Sequence, residues 1–206
     1  MMRARPLLFA ILLFNSLPLF VNAQDKLSEY AMLLAAVKAG NTDIDYGRLR
    51  LSWIDSPEYK QARDTTKEEH AMRAAMKQKN YAEALKNAEV VLANDYVNID
   101  THFLAFMANK GLGSADKAEF HRKVFRGLWD SILHSGDGKS LETAWVVINT
   151  REEYVVLRLL GYPPGEQSLV HKDGHSYDVM KVKSVDGGTE TTFYFNVDIP
   201  FKHYGV

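Results

Sequence analysis

Between Lys79 and His121 the chain carries small residues on a helical beat, and no other stretch limits the fold as strongly. Tyr81, Ala84, Leu85, Ala88, Val91 and Leu92 line one face of a predicted helix, and Ala105, Ala108, Gly113 and Ala118 follow. Ala84 and Ala118 stand 34 residues apart, the period of a stacked helical hairpin. Alanines on that beat let helices of one hairpin cross closely, while Tyr81 and Leu92 fill the wider gaps. The repeat is imperfect: Tyr96 takes a position usually held by proline, and Ala115 stands one period after Tyr81. Two such units fall short of the three that a free solenoid needs, so the helices require further burial from elsewhere in the chain.

Upstream, Leu27, Tyr30, Ala31, Leu34 and Val37 predict a helix stopped at Gly40-Asn41, and Tyr46 to Ile54 predicts a short one with Leu49, Trp53 and Ile54 inward. Pro57 to Thr65 reads as a polar connection, and Thr66-Lys67-Glu68-Glu69 as a capping box opening a helix that ends near Gln78. Helices are then expected over about Tyr81 to Ala93, Asp100 to Lys110 and Ala115 to His134. Trp53, Phe103, Phe106 and Trp129 fit core packing, with a concave peptide groove as the functional alternative for the same aromatics.

Beyond Gly136 the period changes. Ala144 to Ile148 reads as a strand, Arg151 to Leu160 as a helix stopped by Gly161, and Pro163-Pro164 prevents its continuation. Strands are expected over Gln167 to His171, His175 to Ser184 and Thr189 to Ile199, with Asp173-Gly174 and Asp186-Gly187-Gly188 as hairpin turns. With Asp186-Gly187 as the turn, Met180 faces Phe193, Lys183 faces Glu190, Tyr177 faces Asn196 and His175 faces Asp198; a Gly187-Gly188 turn shifts the pairing by two and keeps each face intact. The fold class is α+β: tetratricopeptide-like helical hairpins over 24–135, then a small antiparallel meander with one packed helix over 136–206.

Arg3 and Arg5, an apolar run from Pro6 to Val21 and the Val21-Asn22-Ala23 site predict a signal peptide over 1–23, cleaved near Ala23. The run is too short and interrupted for a membrane span. The remaining 183 residues carry 23 basic against 26 acidic side chains. A net charge near −3 with mixed signs provides no footprint for nucleic acid and no basic face for anionic lipid. With no cysteine, an exported chain must be stabilised by its core alone.

The run Ala118 to His121, Gly127 to Leu133 and Ser135 to Ser140 resembles an uncharacterised secreted bacterial family known as domain of unknown function forty-nine nineteen. Glu142-Thr143-Ala144, Glu152-Glu153-Tyr154, Gln167-Ser168-Leu169, Gly174 to Asp178 and Tyr194 to Pro200 resemble it too. The resemblance implies a Gram-negative envelope location, periplasmic or secreted, and a tetratricopeptide-like front. It implies no chemistry and no catalytic residues.

The residues themselves point to one candidate polar site: His175, Tyr177, Asn196 and Asp198 on one face of the sheet, with His171 across the turn and His121 within reach from the preceding long helix. An aspartate opposite a histidine fixes its tautomer and raises its basicity, as a general base requires. With no serine, cysteine or metal-ligand set at a diagnostic spacing beside them, the favoured expectation is that these groups tie the meander to that helix by ordinary hydrogen bonds. Gly136-Asp137-Gly138-Lys139-Ser140 lacks the earlier glycine of a phosphate loop, since Leu133 stands there, and reads as a helix stop. His171 and His175 flank a turn, and Lys172 stands where a zinc helix has glutamate, so no metal and no cofactor is expected. Asp178 shares a face with Met180 and Phe195 and must be buried with partners, a helix or loop cap being the expected one. The leading expectation is a non-catalytic module that binds a protein or peptide. The alternative is a small-ligand-binding or hydrolase-like site at His175 and Asp198.

Overall fold

The computed structural model describes residues 27–204; the expected signal peptide, 1–23, lies outside them. The first helices are α1 (Glu29–Lys38) and α2 (Tyr46–Ile54). Residues 57–61, expected as connection, instead form α3 (Pro57–Gln61). Ser56 Oγ caps it by accepting the Tyr59 N–H at 3.0 Å, and Pro57 at the first position loses nothing by lacking an N–H there.

Four helices then pack in succession, α4 (Thr66–Lys77) on α5 (Tyr81–Asn94), α5 on α6 (Ile99–Gly111), and α6 on α7 (Ala115–Leu133). The capping box does not form. Thr66 is already the first helical residue, Asp64 Oδ1 accepts its N–H at 2.9 Å, and Glu69 turns away to Arg151. The alanines behave as their spacing demands: Met72, Ala75, Ala84, Ala88, Ala105 and Ala108 make one small buried cluster between α4, α5 and α6. Trp53 and Trp129 are buried, whereas Phe103 and Phe106 are half-buried, Phe103 packing against Phe125 with ring centroids 5.2 Å apart.

The sheet is mixed, in the order β1 (Trp145–Val146), β4 (Glu190–Asn196), β3 (His175–Lys183), β2 (Glu166–Lys172). β1 is parallel to β4, and the other pairs are antiparallel. Asp173 and Gly174 both have positive φ, 52° and 81°, as a two-residue primed turn requires. The β3–β4 register is the one centred on Asp186-Gly187: Met180 faces Phe193, Lys183 faces Glu190 and Tyr177 faces Asn196. The last strand ends earlier than its alternation suggests. Asp198, Ile199 and Pro200 belong to α9 (Asp198–Tyr204), whose first turn tolerates a proline because its N–H groups have no helical partners. Gly138, at φ 67°, sits under the Trp145 ring, where a Cβ would come within 2.5 Å of it. The backbone N–H groups of Asp137 and Gly138 both donate to Thr143 O, so this loop closes on itself and offers no phosphate cradle.

α8 (Arg151–Leu159) links the two halves. One continuous core runs from Tyr30, Leu49 and Trp53 through Leu128 and Ile132 to Val156, Met180, Phe195 and Val197. A buried ion pair crosses it: Arg50 Nη1 of α2 donates to Glu152 Oε2 of α8 at 3.0 Å, with side chains 2% and 5% exposed. Arg50 also donates to Val146 O, and the Ile148 N–H donates to the same Glu152 oxygen at 2.9 Å. Such a pair gains little over apolar packing but leaves a costly lone charge if one partner is lost, so it pins the helical half onto α8.

Candidate functional site

The polar face of the sheet assembles as four of its six expected members require. His175 Nδ1 lies 2.5 Å from Asp198 Oδ2, and the Asn196 amide donates to the same oxygen at 3.1 Å. The Ser176 N–H donates to Asp198 Oδ1 at 2.7 Å. Tyr177 packs edge-on against His175. Burial pushes the Asp198 carboxyl up, but Ser176, His175 and Asn196 together pull it below its ordinary value. Both of its oxygens are thereby committed to closing β3 onto the start of α9.

His171 stands beside this group rather than in it, its Nδ1 3.0 Å from Ser176 Oγ. The serine therefore meets one histidine and the aspartate meets another, so no nucleophile, base and orienting acid line up in series. His121 does not reach the sheet. Its Nδ1 lies 3.0 Å from Nδ1 of His102 on α6, because α7 presents that face to α6 and not to the strands. His102 is fully buried, with Nε2 2.9 Å from Tyr96 O. Burial holds both imidazoles down, at about 3 for His102 and about 4 for His121, so the pair is neutral. Asp130 of α7 pairs with Arg126 on its own helix. Among the described residues no group of three histidine or acidic side chains is placed to hold a metal ion.

Asp178 is buried as expected, 4% exposed, but it caps nothing. It takes the Gln167 amide at 2.7 Å and faces Glu153 of α8. Burial first, then the Asp178 carboxyl, push Glu153 up to about 9, so Glu153 is protonated at neutral pH.

A cavity of about 430 Å³ opens on the other side of α8, and no candidate residue from the sequence lies in it. Its walls come from the first turns of three helices, α4 (Thr66, Glu69), α6 (Ile99, Asp100) and α8 (Arg151, Glu152), and from Asp95, Val97, Val155, Tyr162 and the Pro163-Pro164 rim. Helix N-termini carry partial positive charge and free N–H groups. Three arginines add to it. Arg73 donates twice to Asp100 Oδ2, at 3.0 and 2.6 Å; Arg158 donates to Asp100 Oδ1; Arg151 donates to Glu69 Oε1 at 2.9 Å. The acids are buried, but the arginine side chains remain 45%, 49% and 60% exposed. Asp95 accepts the Val97 N–H, yet its buried Oδ1 has no hydrogen-bond partner. Burial, opposed by Arg151, pushes this carboxyl up to about 7.

The volume is that of a small-ligand pocket, and the lining combines apolar walls with a few convergent polar groups. A faint sequence signal existed: Glu69 and Arg73 are four apart, Arg151 and Arg158 seven, so each set lies on one helix face. Nothing local ties those faces to one another.

A sequence model of the family described as Domain of unknown function (DUF4919) matches residues 22–205. No curated protein and no solved structure matches the chain.

Proposed function

We propose that this chain, which belongs to the DUF4919 family, is a non-catalytic binding module of the bacterial envelope that takes a peptide or protein segment into the cavity beside α8. The observation that carries this reading is the cavity itself: three helix N-termini, half-exposed arginines and an unpartnered Asp95 oxygen converge on apolar walls. The periplasmic or secreted location rests on the predicted signal peptide over 1–23, and no described helix is long and apolar enough to cross a membrane. The helices α4 and α6 and the segment between α5 and α6 supply one wall; the groove aromatics Phe103 and Phe106 line none of the cavity.

The second reading, a small-ligand-binding or hydrolase-like site at His175, is favoured by the short His175–Asp198 contact. It is weakened by the separation of the serine contact onto His171. Titrating isotope-labelled protein with a mixture of envelope-derived peptides separates the readings by the location of the shifted amides. Changes clustered at Val97, Ile99, Val155 and Tyr162 support the cavity. Changes at Phe103 and Phe106, or at His175 and Asn196, move the site there and overturn the cavity reading.

A further inference from the structure

The cavity's polar groups divide into two kinds, and each asks for a different part of a ligand. Among the described residues, Nη1 of Arg73, Nε of Arg151 and Nε and Nη1 of Arg158 donate no hydrogen bond, although these side chains line the cavity. Five N–H donors per guanidinium make such forks natural carboxylate clamps. The starts of α4, α6 and α8 point the same sign of charge at the same space. Glu69 and Asp100 offset two of the three arginines, Glu152 is committed to Arg50, and Asp95 offsets the third when ionised, so the walls are close to neutral and their positive features are the idle guanidinium donors and the helix starts. Against this, Asp95 Oδ1 is buried and receives nothing, an acceptor waiting for an N–H or O–H donor. Val97, Ile99, Val155 and Tyr162 supply the apolar remainder.

Resting on the cavity as the binding site, we infer that its ligand carries a carboxylate on an apolar body, with a hydrogen-bond donor for Asp95. A peptide chain end has all three: the terminal carboxylate for the arginines, the last amide N–H for Asp95 and an apolar last side chain for the walls. A free organic acid shares the carboxylate and the apolar body but brings no amide.

Calorimetric titration with three probes tests this: N-acetyl-alanyl-leucine with a free carboxylate, the same dipeptide as its C-terminal amide, and 4-phenylbutyrate. The acid is expected to bind at least tenfold more tightly than the amide. Arg158→Gln, which leaves Asp100 paired with Arg73, is expected to lower acid affinity about tenfold. Val155→Trp fills the cavity without touching a charge and is expected to abolish binding; both variants are first checked for an unchanged melting transition. Phenylbutyrate binding as well as the dipeptide acid keeps the carboxylate and the apolar body, overturns the donor for Asp95 and assigns the source to organic acids. Equal binding of acid and amide, no binding of any probe to wild type, or an Arg158→Gln variant with wild-type affinity overturns the inference. The peptide-mapping experiment decides the cavity reading independently, so the two can fail separately.

Discussion

The cavity beside α8 and the polar face around His175 hold similar side chains in opposite situations. On the sheet face both Asp198 oxygens are spent: one takes Ser176 and the other His175 with Asn196, and the His175 side chain stands 56% exposed. In the cavity, buried acids hold arginines whose remaining donors are idle, and Asp95 keeps an oxygen with no partner. Burial makes the difference at Asp95, because the cavity arginines are about as exposed as His175. An exposed polar group is satisfied by water and its ion pairs are worth little, whereas an unsatisfied group in a walled space retains the full incentive to bind something. A histidine beside an aspartate is the more eye-catching pattern, but spare capacity inside a cavity is the more informative one.

The comparison can be broken or sharpened by experiment. The largest effect is expected at the pin behind the cavity wall. Arg50→Met leaves Glu152 buried without its counter-ion and should cost about 3–5 kcal/mol in urea unfolding. A loss under 1 kcal/mol would mean that α8 is held by apolar packing alone. Next, Glu153 has its carboxyl pushed from an ordinary 4.5 to about 9. A raised carboxyl contributes its stability below its unfolded value and loses it as pH climbs toward the folded one. Wild type should therefore lose roughly 2–3 kcal/mol between pH 6 and pH 8 from this group, and Glu153→Gln should flatten that slope. An unchanged slope would place the titration on other groups.

Smaller still, His175→Ala removes one exposed contact and should change stability by less than about 1 kcal/mol, leaving peptide-induced shifts at Val155 and Tyr162 intact. A lost response at the cavity would join the two regions that the structure keeps apart. The smallest expected effect is none: the imidazole resonances of His102 and His121 should stay in their neutral positions as pH falls from 8 to 5, since burial holds them near 3 and 4. Depressed histidines contribute stability above their unfolded value, and it drains only as pH falls below about 6.5. A titration midpoint near 6.5 would show the α6–α7 interface open to water.

The sheet was legible because its signals are local. A primed turn needs positive φ at adjacent residues, so Asp173-Gly174 set one register; alternation set the faces of the other, while the choice between Asp186-Gly187 and Gly187-Gly188 was left to the structure. Its end was misread because Phe193, Phe195 and Val197 alternate straight into Ile199; only Asp198 and Pro200, residues suited to a first helical turn, mark the change. The capping box failed for a tertiary reason: Glu69 has a better partner in Arg151, 82 residues away. His121 was assigned to the sheet because helical spacing says which residues share a face and nothing about what that face meets.

From the sequence alone came the α+β class, the helices other than α3 and α9, the antiparallel pairing of β2, β3 and β4, and the burial of the alanine stripe and of Asp178. These follow from period, turn chemistry and hydrophobicity, which act over a few residues. Only the tertiary structure brought Arg73, Asp95, Asp100, Arg151 and Arg158 around one space and left Asp95 Oδ1 without a partner. A cavity is the gap between elements distant in the chain, and its charge depends on which buried acid each arginine finds; no local pattern encodes either.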